Sequence, residues 1–300
     1  MIKCYLVVDQ NFLRKAELKN IVDTCPNARF VLPDAALIEM CKSPEWESTL
    51  RNSLNILSAY PNRTRIGLSI DEAINYEAKE HKSIKGHLLP KKFVPIITEL
   101  LSALSTGASS QTLAMIAHKI LFIQESLMSS KLNHLTNKQD LVKLIDEIKR
   151  RLTPEQVRLL RNKTMERADR LNLIIKLTPL ALEGRLSEVN FPTGKRKAFL
   201  KNKPLTLRYA YIKIWAALDW ITKGGLEEMR PERVTNEVMD HDYILLATFF
   251  DGILSEELRV NEAYEDLCEL IRYPATNQER GVAIFAKACL GASQPQQAAN

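Results

Sequence analysis

Four carboxylates stand out by where they fall against the apolar pattern. Asp9 directly follows the run Tyr5-Leu6-Val7-Val8. Glu39 lies between Ile38 and Met40 in the segment DAALIEM. Asp242 opens the apolar run Tyr243-Ile244-Leu245-Leu246-Ala247, and Glu257 comes two residues after the stretch GILS. Carboxylates gathered in one place hold hard divalent cations, because Mg2+ and Mn2+ prefer oxygen ligands. Such ions activate water and offset the charge on a phosphate; in two-metal sites they sit ~4 Å apart and clamp the attacking and leaving oxygens. Without a cation the same groups repel one another. Each acid also has an ordinary structural role open to it. Asp9 could form an Asx turn or a helix cap, Glu39 an ion pair, and Asp242 or Glu257 the acid that favours a helix N-terminus. Three neighbours compete with these positions: Asp240 with Asp242, and Asp251 and Glu256 with Glu257.

The elements that must position these groups follow from periodicity. Residues 3–8, 29–32, 63–69 and 252–255 read as short strands, and the residues between them as helices with apolar positions about 3.6 apart. Helices are expected over 10–23, from Pro33 through DAALIEMCK, from Ser43-Pro44 to about 60, and with Asp71 as the next cap. From 71 to 180 the spacing is helical throughout, with segments at 93–105, 110–128, 137–152 and 153–177. Residues 184–204, with Gly, Pro and a basic cluster, read as a loop or hinge. Further helices are expected at 205–225, ending at Gly224-Gly225, and at 231–250 and 256–271. Strands alternating with helices predict an α/β fold with a parallel sheet. In such sheets ligands bind at the carboxyl ends of the strands, where Asp9 would lie.

The order of these segments resembles PIN-like nucleases. In VVDQNFL a first strand ends in Asp9 with Asn11 two residues on; in FVLPDAALIEM a helix after the second strand carries Glu39; in DYILLAT an Asp opens an apolar helix; and in ILSEE a final strand is followed by Glu257. The likeness covers roughly 1–70 and 205–275 and departs from the family in having Glu257 where an Asp is usual. It implies a PIN-like domain at 1–70 plus 205–290, a central parallel sheet flanked by helices; the helical spacing of 71–204 then reads as a large insertion or lid, and the composition of 291–300 as a disordered tail. It also implies that Asp9 and Asp242 are core ligands of Mg2+ or Mn2+. Glu39 and Glu257 would complete the shell, and Asn11 would orient a carboxylate or the phosphate. The activity implied is metal-dependent cleavage of RNA in preference to DNA, in a toxin or phage-defence role with an antitoxin or defence complex as partner. The alternatives are a flap-type DNA nuclease and an inactive binding protein.

Phosphate contacts would need basic side chains, and Lys195, Arg196 and Lys197, with Arg208 nearby, are the expected ones. Phe199, Tyr209 and Tyr211 lie close enough in sequence to stack on bases. A net charge of +6 is compatible with nucleic acid without requiring it.

Other chemistries lack their residues. Thr193-Gly194-Lys195 has neither the upstream Gly nor the following Ser/Thr of a P-loop. The five histidines form no HExxH; no GxSxG occurs, and the five cysteines form no CxxC pair. The uneven cysteine number predicts free thiols in a reducing compartment. With no apolar run of 18 residues, and a run of only four, Tyr5 to Val8, before Asp9, neither a membrane span nor a secretory leader is expected, and the cytoplasm is the expected address.

Overall fold

The computed structural model describes residues 3–41, 44–116, 134–226 and 229–271, with backbone alone for 134–137. The expected tail at 291–300, Cys289, Ser43 and residues 117–128 of the expected helix lie outside the described residues.

Four short strands form one parallel sheet: β1 (Cys4–Val8), β2 (Ala28–Leu32), β3 (Thr64–Ile66) and β4 (Gly252–Leu254). Their order is β3-β2-β1-β4. Val7 pairs in register with Val31 on one side and with Ile253 on the other. Central parallel strands are covered on both faces, and Val7, Val8, Phe30, Val31 and Leu32 are fully buried accordingly. The chain moves outward from β1 to β2 to β3 and then returns to place β4 on the far side of β1. The order therefore reverses between β1 and β4, and a crevice forms at the carboxyl ends of strands at such a point.

Twelve labelled helices surround the sheet. The early ones are α1 (Ala16–Thr24), α2 (Asp34–Cys41), α3 (Trp46–Ser58), α4 (Ile70–Glu80) and α5 (Phe93–Ser105). Next come α6 (His134–Lys149), α7 (Pro154–Arg161), α8 (Arg167–Glu188) and α9 (Thr193–Lys201). The last are α10 (Leu205–Thr222), α11 (Pro231–Ala247) and α12 (Leu258–Leu270). Helix α10 is buried on nearly all sides and packs against α4, α6, α7, α8, α11 and α12. Ile145 and Ile174, from the 71–204 stretch, belong to the same continuous core as Val8 and Leu246.

Three local expectations need correction. The cap of α4 is Ser69, whose hydroxyl accepts from the Glu72 N–H at 3.0 Å; Asp71 is the second residue of the helix, in its first turn. Residues 153–177 form two helices, α7 and α8. The first opens with a capping box between Thr153 and Gln156, and Lys163 at φ 57° turns the chain between them. The loop expected over 184–204 is mostly helical, because α8 runs on to Glu188 and α9 spans Thr193–Lys201. Phe199 drives α9 onto the body: it is buried, with its ring 4.6 Å from that of Phe191.

One buried carboxylate ties distant segments. Glu77 Oε1 accepts from Ile84 N at 2.9 Å and Leu205 N at 2.8 Å; Oε2 accepts from the Thr206 amide and hydroxyl, both at 2.8 Å. The amides that open α10 have no partner within the helix, so a remote acid caps it.

Candidate functional site

The site is assembled at the carboxyl edge of β1 and β4. Asp9 N donates to Leu254 O at 3.0 Å, which prolongs the β1–β4 ladder and leaves the Asp9 side chain at its end. Asp9 is 6% exposed. Its Oδ2 accepts from the Ser255 hydroxyl at 2.6 Å and its Oδ1 from Asn11 N at 3.3 Å. The Asn11 amide donates to Glu257 Oε1 at 3.1 Å, and Glu257 N donates to Ser255 Oγ at 3.1 Å. Burial pushes the Asp9 carboxyl above its usual range, against the donors Ser255, Asn11 and Gln10, and the nearby charge of Glu256 adds to the rise.

Helices α2 and α11 supply the opposite wall. The Tyr243 hydroxyl donates to Glu39 Oε2 at 2.6 Å. Burial first, and then Glu39, hold this phenol protonated well above its ordinary range. Asp240 lies one turn before Tyr243, on the same side of α11. Burial raises its carboxyl to about 8, with further upward pressure from Glu257, Glu39 and Asp9 and a smaller opposing effect from Arg259. Three carboxylates, Glu257, Glu39 and Asp9, therefore act on Asp240 here. Ser255, Asn11 and Tyr243 are the neutral donors among them.

Of the residues singled out in the sequence, Asp9, Asn11, Glu39 and Glu257 come together. On α11 the charges of Asp9, Glu39 and Glu257 act on Asp240. Asp242 is two positions on, about 200° around the helix, and is 7% exposed. It shares its side of α11 with Leu246, whose Cδ2 would lie 2.6 Å from a Cβ at Gly67, just past β3. His241 is buried, and burial followed by Lys213 and Arg259 holds it well below its ordinary pKa. Asp251 belongs to the start of β4, where its carboxylate accepts from Tyr5 N at 2.7 Å. Glu256 pairs with Lys15 at 2.6 Å on the surface.

The expected phosphate contacts are dispersed. Arg208 is 4% exposed: Nη1 donates to Thr248 O at 2.6 Å and Oγ1 at 2.9 Å, Nε donates to Lys203 O at 2.9 Å, and the guanidinium stacks 3.6 Å from the Phe249 ring centre. It ties the end of α11 to the start of α10 and faces no solvent. Arg196 pairs with Glu183 at 2.6 Å, Lys195 Nζ lies 3.2 Å from His81 Nδ1, and Lys197 is exposed. Phe199 and Tyr211 are buried and unavailable for stacking. Sequence reasoning passed over Ser255 and Tyr243. The first ends a strand at the same sheet edge as Asp9, and the second follows Asp240 by one turn; those two placements were the available signals.

The donor chemistry fits a hard cation: four acids supply only oxygen, and their mutual repulsion is what a divalent ion offsets. Among the described residues, however, no three His, Cys, Asp or Glu side chains stand together as a ready ligand shell. Asp9, Glu39 and Glu257 each already hold a protein hydrogen bond. Coordination would exchange those bonds for ligation.

An acidic group at the reversal point of a parallel sheet, walled by helices on both faces, places the chain among α/β proteins. Comparison with protein-family models, with curated proteins and with solved structures finds no match. Among the described residues, no helix is long and apolar enough to cross a membrane.

Proposed function

We propose that this chain is a metal-dependent nuclease of the PIN-like type, cutting phosphodiester bonds in RNA. The observation that supports this best is the convergence of Asp9, Glu39, Asp240 and Glu257, from four separate segments, at the sheet's reversal point. Like charges that act on a buried carboxyl disfavour its ionised form, and a bound cation would offset that repulsion. Asp9, Asp240 and Glu257 would hold Mg2+ or Mn2+, with Asp240 taking the part expected of Asp242. When bound, such an ion supplies positive charge to the phosphate and lowers the pKa of water. Ser255 fixes the second oxygen of Asp9, Asn11 orients Glu257, and Tyr243 keeps Glu39 turned toward α11. The preference for RNA, the toxin or phage-defence role and an antitoxin or defence-complex partner rest on the sequence resemblance alone.

A second reading, binding without cleavage, is favoured by the internal hydrogen bonds that occupy three of the four acids and by the lack of a ready ligand shell among the described residues. One experiment separates the two. Purified protein is incubated with labelled single-stranded RNA and DNA in Mg2+, Mn2+ or EDTA, beside Asp9→Asn/Asp240→Asn. Cuts in RNA that need metal and vanish in the variant support the nuclease. Cuts confined to DNA select a flap-type enzyme. Intact polymers, with no metal bound by calorimetry, select the binding protein.

A further inference from the structure

Two stretches far apart in sequence are rich in lysine and lack acids. Residues 193–203 hold Lys195, Arg196, Lys197, Lys201 and Lys203 and no acid. Residues 81–92 hold Lys82, Lys85, Lys91 and Lys92 and no acid, with Glu80 just before them. The fold sets the two side by side. Lys195 Nζ is 3.2 Å from His81 Nδ1, and the His81 ring lies 5.0 Å from Phe191, which in turn packs on Phe199.

The surface is also held rigid from beneath. Buried Glu77 grips Ile84, between Lys82 and Lys85, and at the same time Leu205 and Thr206, just past Lys203. Arg208 takes the Lys203 carbonyl at 2.9 Å. Two helix ends here adopt left-handed backbone without glycine, His81 at φ 53° and Lys203 at φ 48°. Glycine would relieve that strain, yet both positions keep a basic or imidazole side chain.

We propose that Lys82, Lys85, Lys195 and Lys203 form a second, preorganised binding surface for the phosphate backbone of a single-stranded nucleic acid, apart from the carboxylate group. The choice of nucleic acid as the polyanion rests on the nuclease reading. It is favoured over an anionic membrane because Phe191 and Phe199 are buried and the exposed large apolar residues, Met115, Ile175 and Leu258, lie elsewhere. Among the described residues, an anchor that inserts into lipid is therefore lacking at this surface. Several lysines on a fixed frame suit a string of phosphates, which needs charge but no base reading. Arg196, neutralised by Glu183, and Arg208, buried, take no part.

The test measures affinity of the full chain for a labelled single-stranded RNA in EDTA across a salt series. Lys82→Glu/Lys85→Glu/Lys195→Glu is compared with Lys143→Glu/Lys176→Glu on another surface. All proteins are first checked for unchanged thermal unfolding, and a Gln series replaces any Glu variant that unfolds early. The inference expects the triple variant to bind at least about tenfold more weakly at low salt, with the log–log salt slope reduced by about 2, and the control to change little. Equal weakening in both sets overturns it. So does wild-type binding to phosphatidylserine vesicles without binding to the oligonucleotide. Cleavage in Mg2+ is scored separately: binding through these lysines without any cutting leaves the surface standing and removes the nuclease. Cutting with an unchanged KM in the triple variant removes the surface alone.

Discussion

The Tyr243 hydroxyl donates to Glu39 Oε2 at 2.6 Å and thereby joins α11 to α2 across the acidic group. Tyr243 is 1% exposed and stays protonated, so the bond persists at any ordinary pH. Tyr243→Phe keeps the ring packing and removes only this donor. We expect a loss of about 1.5–3 kcal/mol, the range for a hydrogen bond to a charged group, read from urea unfolding. A change smaller than about 0.5 kcal/mol would show that the contact does not hold α11 in place.

Asp240 should make stability fall as pH rises. Its carboxyl moves from an ordinary 3.8 to about 8 in the folded chain. Below about pH 4 it is protonated in both states. Between about 4 and 8 the unfolded chain has released its proton while the folded chain keeps it, so each rise in pH favours unfolding; above about 8 the loss is complete. Burial gives Asp9 the same sign. Asp240→Asn should therefore be more stable than wild type at pH 8 and nearly equal to it at pH 4. Urea midpoints at the two pH values check this, and parallel curves for the two proteins would refute it.

Asp240 and Asp242 should differ in activity. If the four acids bind catalytic metal, Asp240→Asn lowers the rate by more than the ~10–100-fold typical of groups that only support ligands. Asp242→Asn, on another side of the helix, should fall short of that range. Single-turnover cleavage of the two variants decides the matter, and the reverse order would restore the assignment drawn from the sequence.

Arg208 should prove structural. Arg208→Lys loses the planar stack on Phe249 and the two hydrogen bonds from the guanidinium to Thr248. The expected cost is about 1.5–3 kcal/mol, with no change in the salt slope of RNA binding. A reduced slope at unaltered stability would return Arg208 to the phosphate contacts.

Glu77→Ala should be more damaging than either. Four donors lose their acceptor in a buried place, and each buried unsatisfied group costs about 1–3 kcal/mol. Glu77→Gln, which retains one acceptor oxygen, should recover part of the loss in the same unfolding assay. Equal stability of the two variants would argue that solvent enters the site.

The sheet was readable from local pattern. Runs such as YLVV and RFVL are short, apolar and bounded by polar residues, and that pattern specifies strands buried on both faces. Asp9 was legible for the same reason, as the first polar group beyond an apolar strand, whereas Glu257, which follows Ser255 and Glu256, was singled out through the family resemblance. Glu39 was marked by the apolar residues on either side of it. The helix over 193–201 was not legible, because its low apolar content conceals that a single phenylalanine, Phe199, anchors it through a partner eight residues upstream. The choice between Asp240 and Asp242 was likewise beyond the sequence. Both lie on one helix, and side-chain direction there depends on how α11 is rotated against β1, β4 and α2. The fates of Arg208 and Glu77 depend on Thr248 and on Leu205 and Thr206, partners 40 and more than 120 positions away. Local periodicity carries which residues alternate between core and surface. Helix rotation and long-range hydrogen bonds are set by the packing of the whole core, and only the tertiary structure decides them.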